Sequence, residues 1–172
     1  MGAPLPKIKV IGIGSSQADD RLGWDVAEAL LACSGAAAYG DRLEIAICRS
    51  PASELLGLLA RADVAVIVDA VKDQGAPGTV YRWVNVDSLA STAKVLSSHG
   101  VALQTLLMLA DALGYRPSIV VYGIETISGD VPDADSQPAL RRAVLRVTED
   151  IKREIANRCG LAPTSVCSSC QN

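Results

Sequence analysis

Hydrophobic positions fall into short apolar runs, which alternate with longer stretches where apolar residues recur every three or four positions. The short runs are typical of buried strands, and the longer stretches are typical of amphipathic helices. The predicted strands span residues 8–13, 43–48, 64–68, 79–84 and 119–123. The predicted helices span residues 22–33, 54–60, 100–113 and about 140–155. Because strands and helices alternate along the chain, we expect a three-layer α/β sandwich with helices on both faces of a sheet.

The same pattern indicates how two of the strands lie in the sheet. Residues 64–68 form an uninterrupted apolar run, which is typical of a central strand covered on both faces. The Gly- and Pro-containing turn at residues 74–78 is too short to hold a crossover helix. The strand that follows it is therefore expected to run antiparallel to its neighbour. Residues 85–98 and 128–135 are polar and are expected to form loops.

Length and composition favour a single domain. The chain has 172 residues, of which 49% are hydrophobic, and it contains no Phe, so the core is expected to consist of Val, Leu, Ile and Ala. A typical domain has about 150 residues. We assign residues 1–162 to one α/β domain and the Ser- and Cys-containing residues 163–172 to a flexible tail.

Charge and hydropathy argue against two classes of partner. The formal net charge is −3 and the chain has no basic block, which disfavours binding to nucleic acid. No apolar run reaches the roughly 20 residues needed to cross a bilayer, and the N-terminus lacks the features of a signal peptide. We therefore expect a cytoplasmic protein that binds neither nucleic acid nor a membrane.

The five cysteines form an odd and scattered set, which is typical of reduced thiols in a reducing compartment. Cys33 and Cys48 are expected to be small core residues. Cys167 and Cys170 have the spacing of half a zinc site, but no second pair of ligands lies near them in the sequence. The tail is therefore interpreted as an unstructured end, with a metal or redox element as the alternative.

The turn after the first strand combines glycines with acids. Gly12 and Gly14 allow a close backbone approach, and Asp19 and Asp20 follow just before a helix. A dinucleotide site is disfavoured because Gln17 stands where its fingerprint needs a third glycine, and because two acids would repel a pyrophosphate. Either acid is also compatible with helix capping. We favour the cap for Asp19 and a role in a site for Asp20.

Three ligand-type side chains follow or end predicted elements: Asp20, Asp69 and His99, the single histidine of the chain. Polar groups at the carboxyl ends of strands in an α/β sheet lie where ligands bind. Two carboxylates and an imidazole suit a divalent ion such as nickel or zinc, and three protein ligands leave a position open for water or substrate. No serine or cysteine nucleophile is indicated, and Glu125 is a candidate auxiliary acid or a surface residue.

Several short motifs together resemble the nickel–iron hydrogenase maturation endopeptidases, in the order and at about the spacing of that family. These are Gly12-x-Gly14, Asp19-Asp20-x-x-Gly23, Val68-Asp69-Ala70-Val71, Ala76-Pro-Gly-Thr79, Ser98-His99-Gly100 and Gly123-Ile-Glu125. The resemblance covers residues 7 to about 125.

The resemblance implies a fold, an activity and a site. The fold is an α/β sandwich around a mixed, mainly parallel, twisted five-stranded sheet. The activity is removal of a C-terminal peptide from the precursor of the hydrogenase large subunit after nickel has been inserted. The residues that match the family's metal-contacting positions are Asp20, Asp69 and His99. The nickel is carried by the substrate, and no organic cofactor is implied.

This sequence departs from the family pattern at three places. Ser15 and Ser16 stand where an Asn-Pro pair is usual, and Asp20 stands where some members have Glu. The sequence Cys-Arg-Ser-Pro-Ala at residues 48–52 replaces an acid followed by a Gly-Gly-Thr-like run. Two rival hypotheses therefore remain open: a chaperone that senses nickel without cutting, and a zinc peptidase with a metal of its own.

Overall fold

The five strands form one sheet with the order β2-β1-β3-β5-β4 in the computed structural model, which describes residues 5–16, 20–84, 103–127 and 136–160. The strands are β1 (Ile8–Ile13), β2 (Leu43–Cys48), β3 (Val64–Val71), β4 (Val80–Val84) and β5 (Ser118–Glu125). The helices are α1 (Leu22–Ala32), α2 (Pro51–Leu59), α3 (Leu103–Ala112) and α4 (Ser136–Arg158), and Ser34–Arg42 forms a 3-10 segment.

Strand pairing brings the carboxyl ends of the parallel strands together. β1 pairs in parallel with β2 and β3, and β3 pairs in parallel with β5. β4 is antiparallel to β5, as its short preceding turn predicts. The carboxyl ends of the four parallel strands therefore lie at one edge, which we call the carboxyl edge. The opposite edge is called the amino edge.

The core consists of two apolar layers, one on each face of the sheet. Side chains along β3 alternate between them: Val66 and Val68 belong to the layer with α1 and α4, and Ala65 and Ile67 belong to the layer with α2 and α3. All eight residues of β3 are buried, as expected for a central strand. The predicted α/β sandwich with a mixed, mainly parallel five-stranded sheet is thus confirmed.

The element boundaries differ from the sequence prediction in ways that affect the site. β3 continues to Val71, so Asp69 lies inside the strand and not just after it. β5 continues to Glu125, which makes this acid the last residue of a buried strand. Helix α2 begins three residues early, at Pro51, because the fixed backbone of proline suits the first turn of a helix.

Several expectations concern parts of the chain outside the described residues. These are the loops at residues 85–98 and 128–135, the roles of Gln17, Asp19 and His99, the pair Cys167 and Cys170, and the tail at residues 163–172. Cys33 and Cys48 are buried, as expected, and so is Cys159. None of the helices in the described part of the chain is both long and apolar enough to span a bilayer.

The first turn of α1 lies directly against the backbones of β1 and β3. A Cβ atom on Gly23 would overlap the carbonyl oxygen of Ile13 and would lie 2.5 Å from that of Val68. A Cβ atom on Gly12 would in turn overlap the carbonyl oxygen of Gly23. Only glycine fits the space at both positions. The two glycines therefore let α1 approach the sheet more closely than any residue with a side chain at these positions would allow.

We expect Gly23→Ala to lower the free energy of unfolding by about 3 kcal/mol or more, because two backbone oxygens would have to move. The matched control is Gly57→Ala in α2, where nothing lies within 4 Å of the added atom. That change should raise the free energy of unfolding by about 0.5 to 1 kcal/mol, since alanine favours a helix. Urea denaturation of both variants measures the contrast, and equal effects would contradict the close approach.

Candidate active site

Asp20 lies at the carboxyl edge, in the turn between β1 and α1. The N–H of Ser15 donates to the carbonyl of Asp20 at 3.1 Å, which closes this turn. Asp20 is 6% exposed. It does not cap α1, because the N-cap residue is Arg21 and no side-chain hydrogen bond caps this helix end. Asp20 therefore has no capping role, and its role in a site stays a prediction.

Asp69 lies near the same edge, two residues before the end of β3. It is 1% exposed, and it lies on the face covered by α2 and α3, in register with Gly123 of β5. Its Oδ1 atom accepts a hydrogen bond from the N–H of Ala70 at 2.9 Å. Burial raises the pKa of the Asp69 carboxyl to about 7, and the negative charge of Asp20 contributes to this rise. The structure therefore brings the two predicted acids together, close enough for one charge to act on the other.

His99, the third predicted site residue, lies outside the described residues. In the part of the chain that the structure describes, no group of three or more His, Cys, Asp or Glu side chains is arranged to hold a metal ion. The described acids thus form a two-carboxylate site, and a contribution from His99 stays a prediction.

Glu125 holds the loop after β3 in place. It is fully buried, and its Oε1 atom accepts a hydrogen bond from the N–H of Gln74 at 3.1 Å. Its own N–H donates to the carbonyl of Thr79, and its carbonyl accepts from the N–H of Gly78, each at 2.8 Å. Glu125 is therefore not the surface residue that one interpretation allowed. It anchors residues 74–79 beside the site.

Cys48 is not placed to act as a nucleophile. It is the last residue of β2 and is completely buried. Burial raises the pKa of its thiol to about 12, and the negative charge of Glu54 adds to the effect. The thiolate form of Cys48 is therefore disfavoured near neutral pH, so this cysteine is not suited to attack a substrate.

Sequence reasoning missed the surroundings of Trp24, which the helical pattern assigns only to the core. Its Nε1 atom donates to the carbonyl of Cys48 at 3.1 Å, and two guanidinium groups lie over the ring. These belong to Arg21, 5.7 Å from the ring centroid, and to Arg49, 5.5 Å from it. The one sequence feature that could have indicated a cation near Trp24 was an arginine directly after β2, at the carboxyl edge.

A family model described as hydrogenase maturation protease, HycI, matches residues 50–156, more than half of the chain. The chain belongs to this family. Hydrogenase maturation proteases are peptidases that remove a C-terminal peptide from the hydrogenase large subunit, so the protein is an enzyme of this class. The family assignment made from the sequence motifs is thereby confirmed.

Solved structures of hydrogenase maturation proteases have the same fold. HycI from Thermococcus kodakarensis KOD1 is 24% identical with a TM-score of 0.64, and the match covers 89% of this chain and 94% of that one. The maturating endopeptidase HybD from E. coli is 23% identical with a TM-score of 0.62, covering 86% and 93%. At these identities the likeness concerns the fold. No curated protein sequence matches the chain significantly.

The raised pKa of Asp69 predicts a specific pH dependence of stability. Its folded-state pKa of about 7 lies above its ordinary value of 3.8, so the folded protein holds this proton more tightly than the unfolded chain does. The stabilisation is complete below the ordinary value and is lost as the pH rises through about 7. At high pH, the ionised Asp69 carboxylate therefore lowers the free energy of unfolding by about 4 kcal/mol relative to the protonated form.

We expect Asp69→Asn, which cannot ionise, to gain stability relative to the wild type between about pH 4 and about pH 8, by about 4 kcal/mol. Urea denaturation at both pH values measures this difference, in which any constant effect of the amide cancels. Asp111→Asn removes an exposed carboxylate and is the matched control. A stability difference for Asp69→Asn that does not change with pH would contradict the burial of an acid.

Proposed function

We propose that Asp20, Asp69 and His99 contact the nickel carried by the hydrogenase large subunit precursor, and that this contact promotes cleavage of the C-terminal peptide. The observation that supports the proposal is the pair of buried carboxylates at the carboxyl edge, one of which raises the pKa of the other. Two such acids repel each other when both are ionised, and a cation between or beside them relieves this repulsion. A substrate that brings its own cation supplies that charge.

The chemistry follows from the properties of a divalent ion. Nickel bound to the precursor polarises a nearby carbonyl and lowers the pKa of a bound water, so that hydroxide becomes available near neutral pH. One carboxylate then accepts the proton of the attacking water as general base. Asp20 and Asp69 are the two candidates for this role, because both carboxylates lie at the site.

The course of α3 supports the inclusion of His99. This helix ends at Ala112, and residues 113–117 connect it to Ser118 at the amino edge. The helix therefore begins on the side of the carboxyl edge. Its first residue, Leu103, is buried on the same face of the sheet as Asp69. His99 precedes Leu103 by four residues in the sequence.

The partner is the nickel-loaded large subunit precursor, and the nickel arrives with it as part of the substrate. The enzyme needs no organic cofactor and no resident metal in this proposal. A cytoplasmic location, where such a precursor is made, stays a prediction.

We expect Asp20→Asn, Asp69→Asn and His99→Ala each to reduce processing of a nickel-loaded precursor by at least about 100-fold. Mass spectrometry of the precursor before and after incubation measures the shortening. Asp111→Asn, which removes an exposed acid near the amino edge, is the control and should process at the wild-type rate. Full activity of His99→Ala would exclude the histidine, and binding without shortening by the wild type would favour the non-cleaving chaperone.

The protein purified without added metal should contain much less than one nickel or zinc per chain. The physical reason is that two carboxylates and one imidazole hold a free divalent ion weakly when further ligands must come from the substrate. Elemental analysis by mass spectrometry measures the metal content. Stoichiometric zinc that is required for cleavage would instead support a zinc peptidase with its own metal.

A further inference from the structure

Arg49 occupies a fixed position at the carboxyl edge. It follows Cys48, whose carbonyl accepts hydrogen bonds from the N–H of Gly14 at 3.2 Å and from Trp24. The N–H of Arg49 itself donates to Oε2 of Glu54 at 3.0 Å. The main chain on both sides of Arg49 is therefore held, by the turn that leads to Asp20 and by the first turn of α2.

Trp24 forms a rigid platform for the Arg49 side chain. The indole is 8% exposed, and its edge lies against Gly14, where an added Cβ atom would be 2.9 Å from Cδ1 of the ring and 2.5 Å from the carbonyl oxygen of Asp20. The guanidinium of Arg49 lies 5.5 Å from the ring centroid, within the range of a cation–π contact. Arg49 thus lies on a ring whose edge packs against the turn of Gly14 and Asp20.

The two arginines on Trp24 differ in how their charges are balanced. Arg21 pairs with Asp25 at 3.0 Å and with Glu28 at 2.9 Å. For Arg49, no ion pair with a carboxylate is present in the described part of the chain, and the residue is exposed. Within the described residues, Arg49 is therefore an oriented cation without an ion-pair partner, at the edge that holds the two acids.

We propose that Arg49 is a specificity-determining residue that binds an acidic side chain of the precursor, close to the cleavage point. This inference rests on the proposed function, because it takes the precursor as the substrate. A planar guanidinium binds a carboxylate through two parallel hydrogen bonds, and stacking on an indole keeps the plane in one orientation. Asp20 and Asp69 repel an acidic side chain, whereas the guanidinium of Arg49 at the same edge attracts it.

The first experiment compares Arg49→Glu and Arg49→Gln with the wild type in steady-state processing of the nickel-loaded precursor. We expect Arg49→Glu to lower kcat/KM by about 10-fold to 100-fold, mainly through a higher KM, because the lost contact serves binding. Arg116→Gln, which removes an exposed arginine near the amino edge, is the control for loss of one positive charge. Unchanged kcat/KM in Arg49→Glu would overturn the inference.

The second experiment identifies the substrate group by charge exchange. Each acidic residue near the cleavage point of the precursor is replaced by Lys in turn. One of these changes should impair processing by the wild type and restore processing by Arg49→Glu. If no exchange restores activity, the effect of Arg49→Glu is structural and the inference fails.

A binding measurement separates this inference from the proposed function. Affinity of the nickel-loaded precursor for the wild type and for Arg49→Glu is determined without reference to cleavage. Weaker binding to Arg49→Glu supports the inference even if the wild type does not shorten the precursor, a result that would refute only the proposed catalysis. Equal binding to both proteins overturns the inference even if the wild type cleaves.

Discussion

The close approach of α1 to the sheet determines the geometry on which the site depends. Gly12 and Gly23 face each other with no room for a side chain, and Gly23 also meets the backbones of β1 and β3. This contact places the start of α1 at the carboxyl edge. Asp20, three residues before Gly23, is consequently held within the electrostatic range of Asp69. Without the glycine contact, the two acids would be positioned by a turn alone.

Bringing two acids together in a buried place is unfavourable for the folded protein. Asp69 is almost completely buried, and its ionised form is disfavoured both by desolvation and by the charge of Asp20. The apolar layers on both faces of β3 supply the stability that makes this arrangement tolerable. Such a local cost is typical of functional sites, where chemistry and not packing determines the residue.

Most of the fold could be predicted from the sequence because its strands are short, apolar and separated by clear turns. The antiparallel direction of β4 followed from the length of one turn. The ends of β3 and β5 could not be placed, because Asp69 and Glu125 interrupt the apolar pattern while the backbone continues in the sheet. Hydrogen bonding between strands, which is a tertiary effect, extends both elements beyond the apolar runs.

The candidate site could be predicted only in part. Asp20 and Asp69 were selected as candidates because acids at or after the ends of apolar strands are not explained by packing; the structure shows that both are buried and that the charge of Asp20 acts on Asp69. The anchoring role of Glu125 and the position of Arg49 on Trp24 depend on contacts between distant parts of the chain. A helical pattern correctly assigns Trp24 to a buried face, but it does not reveal which groups lie over the ring.

The two buried acids make the carboxyl edge sensitive to positive charge. When both carboxylates are ionised they repel each other, and burial adds to the cost of ionising Asp69. A proton on Asp69 relieves this repulsion, and so does a cation that lies beside both acids. A proton and a cation therefore compete for the same buried carboxylate. Any cation at this edge is consequently held more tightly as the pH rises and Asp69 loses its proton.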